Sequence, residues 1–415
     1  MRILISGGGL GGLALAHGLL RGGHDVTVFE RSPEGSSPGF RLNINGDGGN
    51  ALEKLLAPDL YRLYQATSRS NSRIAQATML DARLRLLGST PHIGPPNEGP
   101  MPHTAVHRST LRQILSTGLD DLIEHGAVVG YEERGDRVAL KLDGGKRVEG
   151  DLIVAADGIN SAIRRQLLPE LEIIEDGFVG VFARTPLTKA DIDRLPGEFF
   201  DGVAIVLGPL FMDGGIIALG PFEPRQNIVD AVAEHAPRAR LDPVNPYMML
   251  WVGIAPEISE FCGIDPAAAD GGQLKQLAEA ATERFDPHIT SLVANAGDWY
   301  LSPMRRLTLA KPWPPSRVTL LGDAIHAMPP TIGAGANLAL ADAALLTGFL
   351  GDAGTKTEPV AAVGHYEEAM RAYDWPIAER AADPRVLRSG IGPIGILRLI
   401  QQVGARRIAR ELRAA

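Results

Sequence analysis

Cysteine is nearly absent from this sequence of 415 residues, which contains only Cys262. A single thiol cannot form an internal disulfide, and it cannot supply the several cysteine ligands of a structural zinc or iron–sulfur site. The histidines are scattered and show neither HExxH nor HxH spacing, so we expect no metal site. A lone thiol is typical of a protein of the reducing cytoplasm, where we expect this one to reside.

Long basic runs and long apolar runs are also missing. Lysine and arginine number 41 against 49 aspartate and glutamate residues, which gives a formal net charge of −8. This balance argues against nucleic acid and anionic membranes as partners. The first residues resemble a weak signal peptide, but the five glycines between Gly7 and Gly12 would break its apolar helix. We therefore expect neither a secretion signal nor a transmembrane span.

The composition that remains is that of a folded globular protein. Hydrophobic residues make up 45% and charged residues 22% of the chain. Single hydrophobic cores stop growing at roughly 250–300 residues, so the length of the chain suggests two domains.

The N-terminal segment has the pattern of a dinucleotide-binding unit. Residues 2–6 predict a buried strand, and Gly7, Gly9 and Gly12 follow in GxGxxG spacing at the start of a helix. Such glycines permit a tight turn, backbone approach to a pyrophosphate and close helix–strand packing, while the helix N-terminus offers free amides to the phosphates. Glu30 ends the next predicted strand, where a carboxylate can accept hydrogen bonds from ribose hydroxyls.

Another strand and helix are predicted after residue 103. The segment HTAVHRSTLRQIL predicts a strand that ends at Arg108, with Ser109 as the N-cap of the following helix. We interpret Arg112, one helical turn further on, as a solvent-exposed residue.

Two later segments carry a specific family resemblance. DLIVAADGINSAIRRQL contains the pattern DGxxSxxR at Asp157, Gly158, Ser161 and Arg164. RVTLLGDAIHAMPPTIGAGANLALADAALL contains GD, a histidine, a proline pair and a GxGxN loop that leads into a helix. Together with the N-terminal glycines, these motifs resemble the single-component FAD-dependent aromatic hydroxylases, the p-hydroxybenzoate hydroxylase-like flavoprotein monooxygenases. The tetracycline-inactivating and polyketide-tailoring members resemble the chain most.

The resemblance implies a set of residues that contact FAD. Asp323 would accept hydrogen bonds from the ribityl hydroxyls, Arg108 would lie along the pyrophosphate, and Asp157 would shape the backbone near the pyrophosphate and a visiting NAD(P)H. The GxGxN loop would direct amides to the N1–C2=O edge of the flavin. The full predicted set is Gly7, Gly9, Gly12, Glu30, Arg31, Arg41, Asn43, Arg108, Asp157, Asp323, Gly335 and Asn337.

The predicted fold is α/β, with a Rossmann-like FAD-binding domain, a β-sheet substrate domain and C-terminal helices. Residues 1–58, 100–172 and 300–352 are assigned to a discontinuous FAD-binding domain. Residues 59–99 and 173–299 are assigned to the substrate domain, and residues 353–415 to the C-terminal helices, of which the last is basic and amphipathic.

The predicted activity is that of a monooxygenase. The resemblance implies that NAD(P)H, as a transient co-substrate, reduces FAD, and that O2 then forms a flavin C4a-hydroperoxide that hydroxylates an aromatic or polyketide-like small molecule. The same fold supports epoxidation, Baeyer–Villiger oxidation and oxygen-independent flavin reduction. A non-catalytic flavin-binding sensor is the alternative from another class. No residue is named as a nucleophile or acid–base catalyst.

Apolar residues of the second half are candidates for the substrate pocket, although core packing explains each of them equally well. They are Phe200, Phe211, Met212, Met248, Met249 and Trp251.

The stretch GDAIHAMPP poses a separate question because Asp323 and His326 are three residues apart. They could form a catalytic dyad, half of a metal site, or neither. In the flavoprotein interpretation, Asp323 faces the ribityl chain and His326 is a structural hydrogen-bonding residue rather than a catalyst.

Overall fold

The computed structural model describes residues 1–32, 39–69, 76–91, 104–200, 202–208, 215–330, 333–351 and 358–382. Within them, apolar side chains form two large buried cores, each beside its own β-sheet. The predicted α/β class with a second, strand-built unit is therefore confirmed. The predicted basic helix after residue 382, Phe211 and Met212 lie outside the described residues.

A parallel sheet forms the centre of the first unit. Its strands are β1 (Arg2–Ser6), β2 (Asp25–Glu30), β7 (Ile123–His125), β11 (Leu152–Ala155) and β17 (Val318–Leu320). They are ordered β17–β11–β1–β2–β7. The central strands are continuous apolar runs because helices cover both faces of a parallel sheet.

Helices pack around this sheet and contribute buried residues to the first core. They are α1 (Leu10–Arg21), α2 (Gly46–Leu55), α3 (Pro58–Thr67), α4 (Arg108–Ser116), α5 (Ala162–Leu167), α7 (Ile228–His235), α12 (Gly335–Leu350) and α13 (Pro359–Ala382). The short α11 (Asp323–His326) follows the end of β17.

Two small antiparallel sheets complete this unit. One is the predicted meander of β8 (Val128–Arg134), β9 (Arg137–Leu142) and β10 (Arg147–Gly150). The other pairs β3 (Arg41–Ile44) with β6 (Thr104–His107).

The second unit is a seven-stranded sheet in the order β16–β12–β15–β14–β13–β4–β5. These are β4 (Gln76–Asp81), β5 (Leu86–Pro91), β12 (Ile173–Pro186), β13 (Val203–Leu207), β14 (Ile216–Phe222), β15 (Tyr247–Ile254) and β16 (Gly297–Leu307). Its associated helices are α6 (Lys189–Arg194), α8 (Pro256–Cys262), α9 (Gly271–Thr282) and α10 (Pro287–Ala294), of which α9 and α10 cover one face with buried side chains.

Packing bears on the domain limits, which stay a prediction. Helices α3 and α7 contribute to the first core, and β16 belongs to the seven-stranded sheet along its whole length. Helix α3 begins at the predicted limit at residue 58, α7 lies inside the range 173–299 assigned to the substrate domain, and β16 crosses the limit at residue 299.

One local prediction is wrong. Helix α4 begins at Arg108, with His107 in the N-cap position, so Ser109 lies in the first turn and is not the cap. The residues around this boundary, His107 to Thr110, are all polar, which leaves the start of the helix weakly specified by sequence.

Among the described residues, no helix is both long enough and apolar enough to cross a bilayer.

Candidate cofactor site

The predicted glycine loop leaves β1 and enters α1 in a conformation that its glycines require. Gly7 has φ of 108°, and a Cβ there would lie 2.3 Å from the carbonyl oxygen of Ala156. A Cβ on Gly12 would lie 2.1 Å from the carbonyl oxygen of Gly7. A Cβ on Gly9, by contrast, would meet no described atom within 4 Å. Two glycines are thus needed by the protein's own packing, whereas Gly9 borders open space.

The N-terminus of α1 is free to bind an anion. Gly9 is its N-cap and provides no side-chain cap, and the first turn contains no acidic residue. The first amides of a helix have no partner within the helix, and the helix dipole places partial positive charge there. A phosphate would supply the missing hydrogen-bond acceptor.

Glu30 is fixed beside this loop at the end of β2. Its Oε2 accepts a hydrogen bond from the Gly8 amide at 2.8 Å, and its Oε1 accepts one from the Ser32 amide at 2.7 Å. The neighbouring Arg31 is exposed.

The prediction that Arg112 is a solvent-exposed residue is wrong. Its side chain is partly buried, and Nε donates to the carbonyl oxygen of Gly8 at 3.2 Å. The contact joins residues 104 positions apart and brings a cation to the glycine loop. The signal that could have found it is the four-residue spacing from Arg108, which puts both arginines on neighbouring positions of one helix face.

The DGxxSxxR segment folds into a compact turn beside the same loop. Asp157 Oδ2 accepts a hydrogen bond from Ser6 Oγ at 3.1 Å, and burial raises the pKa of this carboxyl. Ser161 caps α5 by accepting from the Arg164 amide at 3.1 Å. Arg164 is only 1% exposed, and its guanidinium donates to the Ile159 carbonyl. The arginine therefore closes the turn instead of lying on the surface.

Asp323 lies just beyond the end of β17. Its side chain is accessible to solvent, yet the surrounding protein encloses it and raises its pKa, against the opposing charges of His326 and Arg108. A carboxyl group that solvent reaches, but that protein surrounds, lies in a concave part of the surface. Arg108 is half-buried and interacts electrostatically with Asp323 and Tyr300.

Asn337 ties the start of α12 to β3. Its Oδ1 accepts from the Asn45 amide at 3.0 Å, and its Nδ2 donates to the carbonyl oxygens of Asn43 at 2.9 Å and Gly333 at 3.1 Å. Helix α12 itself has no side-chain N-cap and no acid in its first turn, so its leading amides also face the cleft region uncapped. A Cβ on Gly335 would lie 3.6 Å from Asp323 Oδ1, which shows how closely the two motifs approach.

Arg41 is anchored to the second unit. It is 7% exposed, and its guanidinium donates to the carbonyl oxygens of Pro221 and Gly202 and to Asn43 Oδ1 at 2.7 Å. Burial, reinforced by the charge of Arg69, lowers the pKa of Arg41 to about 9. Arg41 thus fixes the position of Asn43, whose backbone carbonyl accepts the hydrogen bond from Asn337 at the start of α12.

The four principal motifs meet at one edge of the parallel sheet. Gly7, Glu30, Asp157 and Asp323 stand at or just beyond the carboxyl ends of β1, β2, β11 and β17, which are neighbouring strands. In open α/β sheets, ligands bind in the crevice at this edge. The edge offers anion-binding amides, carboxylate acceptors and a second uncapped helix, a series that suits an extended ligand with phosphates and hydroxyl groups.

The seven-stranded sheet turns an aromatic face toward this region. The predicted pocket residues of β15 lie on two different faces of the sheet, because neighbouring side chains of a strand point to opposite faces. Met248 is buried in the helix-covered core, where Phe200 also packs, so for these two the core interpretation holds. Met249 lies on the opposite face with Phe222 and Tyr247.

The aromatic residues that dominate this face were not among those predicted from the sequence. Phe182 and Tyr300 stack with centroids 5.3 Å apart, and Phe40 packs edge-on against Tyr247 at 6.2 Å. His107 Nδ1 is 2.8 Å from the Tyr247 hydroxyl, and burial lowers the pKa of His107 to about 4. The alternation of β15 could have revealed Tyr247, but the partners come from distant strands.

The fold and the site define a protein of the α/β dinucleotide-binding type, with anion-binding amides and carboxylates at the carboxyl edge of a parallel sheet. A family model described as an FAD binding domain matches residues 275–381. The geometry fits that group: the α1 amides suit its pyrophosphate, and the enclosed Asp323 suits a polyol.

Known relatives place the chain more closely. It is 28% identical over 393 residues to the dual O-methyltransferase/FAD-dependent monooxygenase CTB3 of Cercospora beticola. The matched region covers 89% of this chain and 44% of that protein. It is 27% identical over 427 residues to the chloroplastic zeaxanthin epoxidase of Solanum lycopersicum, over 96% of this chain and 57% of that protein. The chain thus spans about half the length of these curated relatives.

A solved structure agrees. A structural-genomics protein assigned as an FAD-containing monooxygenase, from Photorhabdus luminescens subsp. laumondii, has a TM-score of 0.74 and 29% identity, over 92% of this chain and 97% of that one. Tetracycline destructases share the fold as well. The family resemblance seen in the motifs is confirmed: this chain is related in sequence to FAD-dependent monooxygenases and has their fold.

Replacing Asn337 by alanine should lower the free energy of unfolding by about 2–4 kcal/mol, because the Asn45 amide and the Asn43 carbonyl would lose their buried partner. Urea unfolding of the FAD-free protein measures this. Asn295→Ala is the control, since the side chain of the exposed Asn295 donates to the Ser291 carbonyl of its own helix. If the two variants are equally stable, the hydrogen bonds of Asn337 do not stabilise the contact between α12 and β3.

Proposed function

We propose that the chain is an FAD-dependent monooxygenase that uses NAD(P)H and O2 to hydroxylate an aromatic or polyketide-like small molecule. The observation that carries the proposal is the convergence of the glycine loop, Glu30, Asp157 and Asp323 at the carboxyl edge of four neighbouring parallel strands. Relatives named as FAD-dependent monooxygenases support it. The single cysteine supports a reducing, cytoplasmic location.

Particular residues would hold FAD in this proposal. The loop of Gly7, Gly9 and Gly12 and the α1 amides would bind the pyrophosphate, with Arg108 adding positive charge, and Glu30 would bind the adenosine ribose. The Asp323 carboxylate would accept hydrogen bonds from ribityl hydroxyls. The remaining predicted contacts would come from Arg31, Arg41, Asn43, Asp157, Gly335 and Asn337.

Bound FAD, once reduced by a nicotinamide, supplies the activation of O2. The protein positions the reacting groups, provides their electrostatic environment and excludes water. The uncapped amides of α12 would favour negative charge at the ring edge nearest to them. The aromatic face around Tyr247 and Phe182 would exclude water from the reacting groups and provide flat apolar surface to an aromatic substrate.

Epoxidation is the second candidate, favoured by the similarity to a zeaxanthin epoxidase. Hydroxylation and epoxidation share every protein feature described above and differ in the substrate bond that accepts oxygen. The aromatic face would therefore determine the reaction, because it determines which substrate binds.

The test is an oxygen-18 labelling experiment. Purified protein with bound FAD is supplied with NADPH, oxygen-18 gas and a panel of phenols, polycyclic aromatic polyketides and alkenes, and products are analysed by mass spectrometry. One labelled oxygen atom in an aromatic product supports the proposal, and a labelled epoxide supports the second candidate. A labelled lactone, whose ring has gained one oxygen atom, indicates Baeyer–Villiger oxidation. NADPH oxidation with no labelled product indicates a reductase, and failure to bind FAD overturns the proposal.

A further inference from the structure

A buried histidine and two buried aspartates lie directly behind the Asp323 turn. His326 is fully buried, and its Nε2 is 2.7 Å from Asp342 Oδ2 and 3.3 Å from Asp374 Oδ2. Asp342 belongs to α12 and Asp374 to α13, and both are 2% exposed. Three separate elements therefore meet at one imidazole nitrogen.

One carboxylate oxygen holds both ends of the turn. Asp342 Oδ2 accepts a hydrogen bond from the Gly322 amide at 3.0 Å, and the same oxygen accepts from His326 Nε2. Gly322 precedes Asp323, and His326 ends the four-residue helix that Asp323 begins. Because both ends are bonded to one atom of α12, the position of Asp323 between them is set by the position of α12.

The charges of this group support a protonated histidine. Burial opposes the cation, but Asp342, Asp374 and Asp323 outweigh burial and raise the pKa of His326 to about 9. Burial, together with the charge of Asp342, raises the pKa of Asp374 well above its ordinary range. A histidine that faces acidic side chains in this way reduces the net charge that is buried.

Helix α13 braces the strand that carries the turn. The Tyr366 hydroxyl donates to the Leu320 carbonyl at 2.9 Å, and Thr319 Oγ donates to Glu367 Oε1 at 2.8 Å. Asp374 continues this line of contacts, two helical turns further along α13, to the turn after β17. Helix α13 thus reaches the site through Asp374.

A hydrogen bond, and not a shared metal ion, accounts for the distance between His326 and Asp342. Two ligands of one tetrahedral ion at bond lengths of about 2.1 Å would lie about 3.4 Å apart. The 2.7 Å between His326 Nε2 and Asp342 Oδ2 is instead the length of a charge-assisted hydrogen bond.

We propose that Asp342 and Asp374 are positioning residues for Asp323, acting through His326 and the Gly322 amide to hold the Asp323 carboxylate in its cofactor-binding orientation. This inference rests on the proposed function, because it assigns the group a purpose in FAD binding. Neither aspartate needs to touch the cofactor.

The experiment separates FAD affinity from stability. FAD dissociation constants are measured by flavin fluorescence, and melting temperatures are measured on FAD-free protein. Asp342→Asn and His326→Leu should each weaken FAD binding by about 10-fold or more, since each removes a charged hydrogen bond that fixes the turn. His326→Gln, whose amide can still donate to Asp342, should stay within about 3-fold of the wild type. Asp374→Asn, nearly identical in shape, should weaken binding less than Asp342→Asn.

Glu367→Gln is the matched control because Glu367 is a buried acid of α13 that bonds β17 but not the turn. It should lower the melting temperature without changing FAD affinity. The inference is overturned if the Asp342 and His326 variants bind FAD as the wild type does, or if Glu367→Gln weakens binding as much as Asp342→Asn. A wild-type protein that binds no FAD would refute the proposed function itself, which distinguishes the two failures.

Discussion

Alanine at Gly9 is expected to weaken FAD binding by about 10- to 100-fold while leaving the FAD-free protein as stable as the wild type. The new methyl group would meet no described atom of the protein within 4 Å, and Gly9 has φ of −77°, which alanine adopts readily. It would instead occupy the space through which the pyrophosphate is proposed to pass. Steric exclusion therefore acts on the ligand alone.

Gly12→Ala is the comparison that gives this result its meaning. A Cβ on Gly12 would lie 2.1 Å from the Gly7 carbonyl oxygen, so this variant must distort the loop itself. Its FAD-free melting temperature should fall, and FAD binding should fall with it. Thermal unfolding and flavin fluorescence titration of both variants measure the two effects. Normal FAD binding by Gly9→Ala would mean that the pyrophosphate does not approach the loop at this point.

Removal of the Asp323 carboxylate is the second change with a large expected effect. Asp323→Ala should weaken FAD binding by about 100-fold, because two hydrogen bonds from ribityl hydroxyls to a charged acceptor would be lost at about 1.5 kcal/mol each. Asp323→Asn should have an intermediate effect, since its amide oxygen still accepts a hydrogen bond but carries no charge. Dissociation constants of FAD give the answer directly.

The control for this prediction is Asp193→Ala, which removes an exposed carboxylate on α6, in the second unit. It should bind FAD as the wild type does. If Asp323→Ala binds FAD more tightly than the wild type, the carboxylate repels the phosphates instead of accepting hydrogen bonds. The ribityl assignment would then be wrong.

Much of the fold could be predicted because its signals are local. The buried run of β1, the glycine spacing, the alternation of β13 to β15 and the amphipathic pattern of α9 each depend on neighbouring residues. Turn chemistry and side-chain periodicity act over fewer than about ten residues, so they can be read along the chain. Boundaries were less certain, as the start of α4 shows.

The candidate site was predicted in outline for the same reason. The motifs that contain Gly7, Asp157 and Asp323 are short, and the resemblance fixed the order in which they serve one cofactor. Their meeting at one sheet edge then follows from the general geometry of parallel strands. Which side chains also contact these motifs did not follow, because a helix face or a strand face indicates burial but not the partner.

By itself, the sequence determined that this protein has an α/β dinucleotide-binding unit, a second strand-built unit and the motifs of a flavoprotein. Only the tertiary structure decided that Arg112 donates to Gly8, that Met248 and Met249 face opposite sides of the sheet, and that Asp342 and Asp374 meet at His326. The hydrogen bonds of Arg112 and Asp342 join residues 104 and 16 positions apart, and the Asp374 contact comes from a different helix. Such contacts depend on how elements pack, and no local propensity specifies that packing.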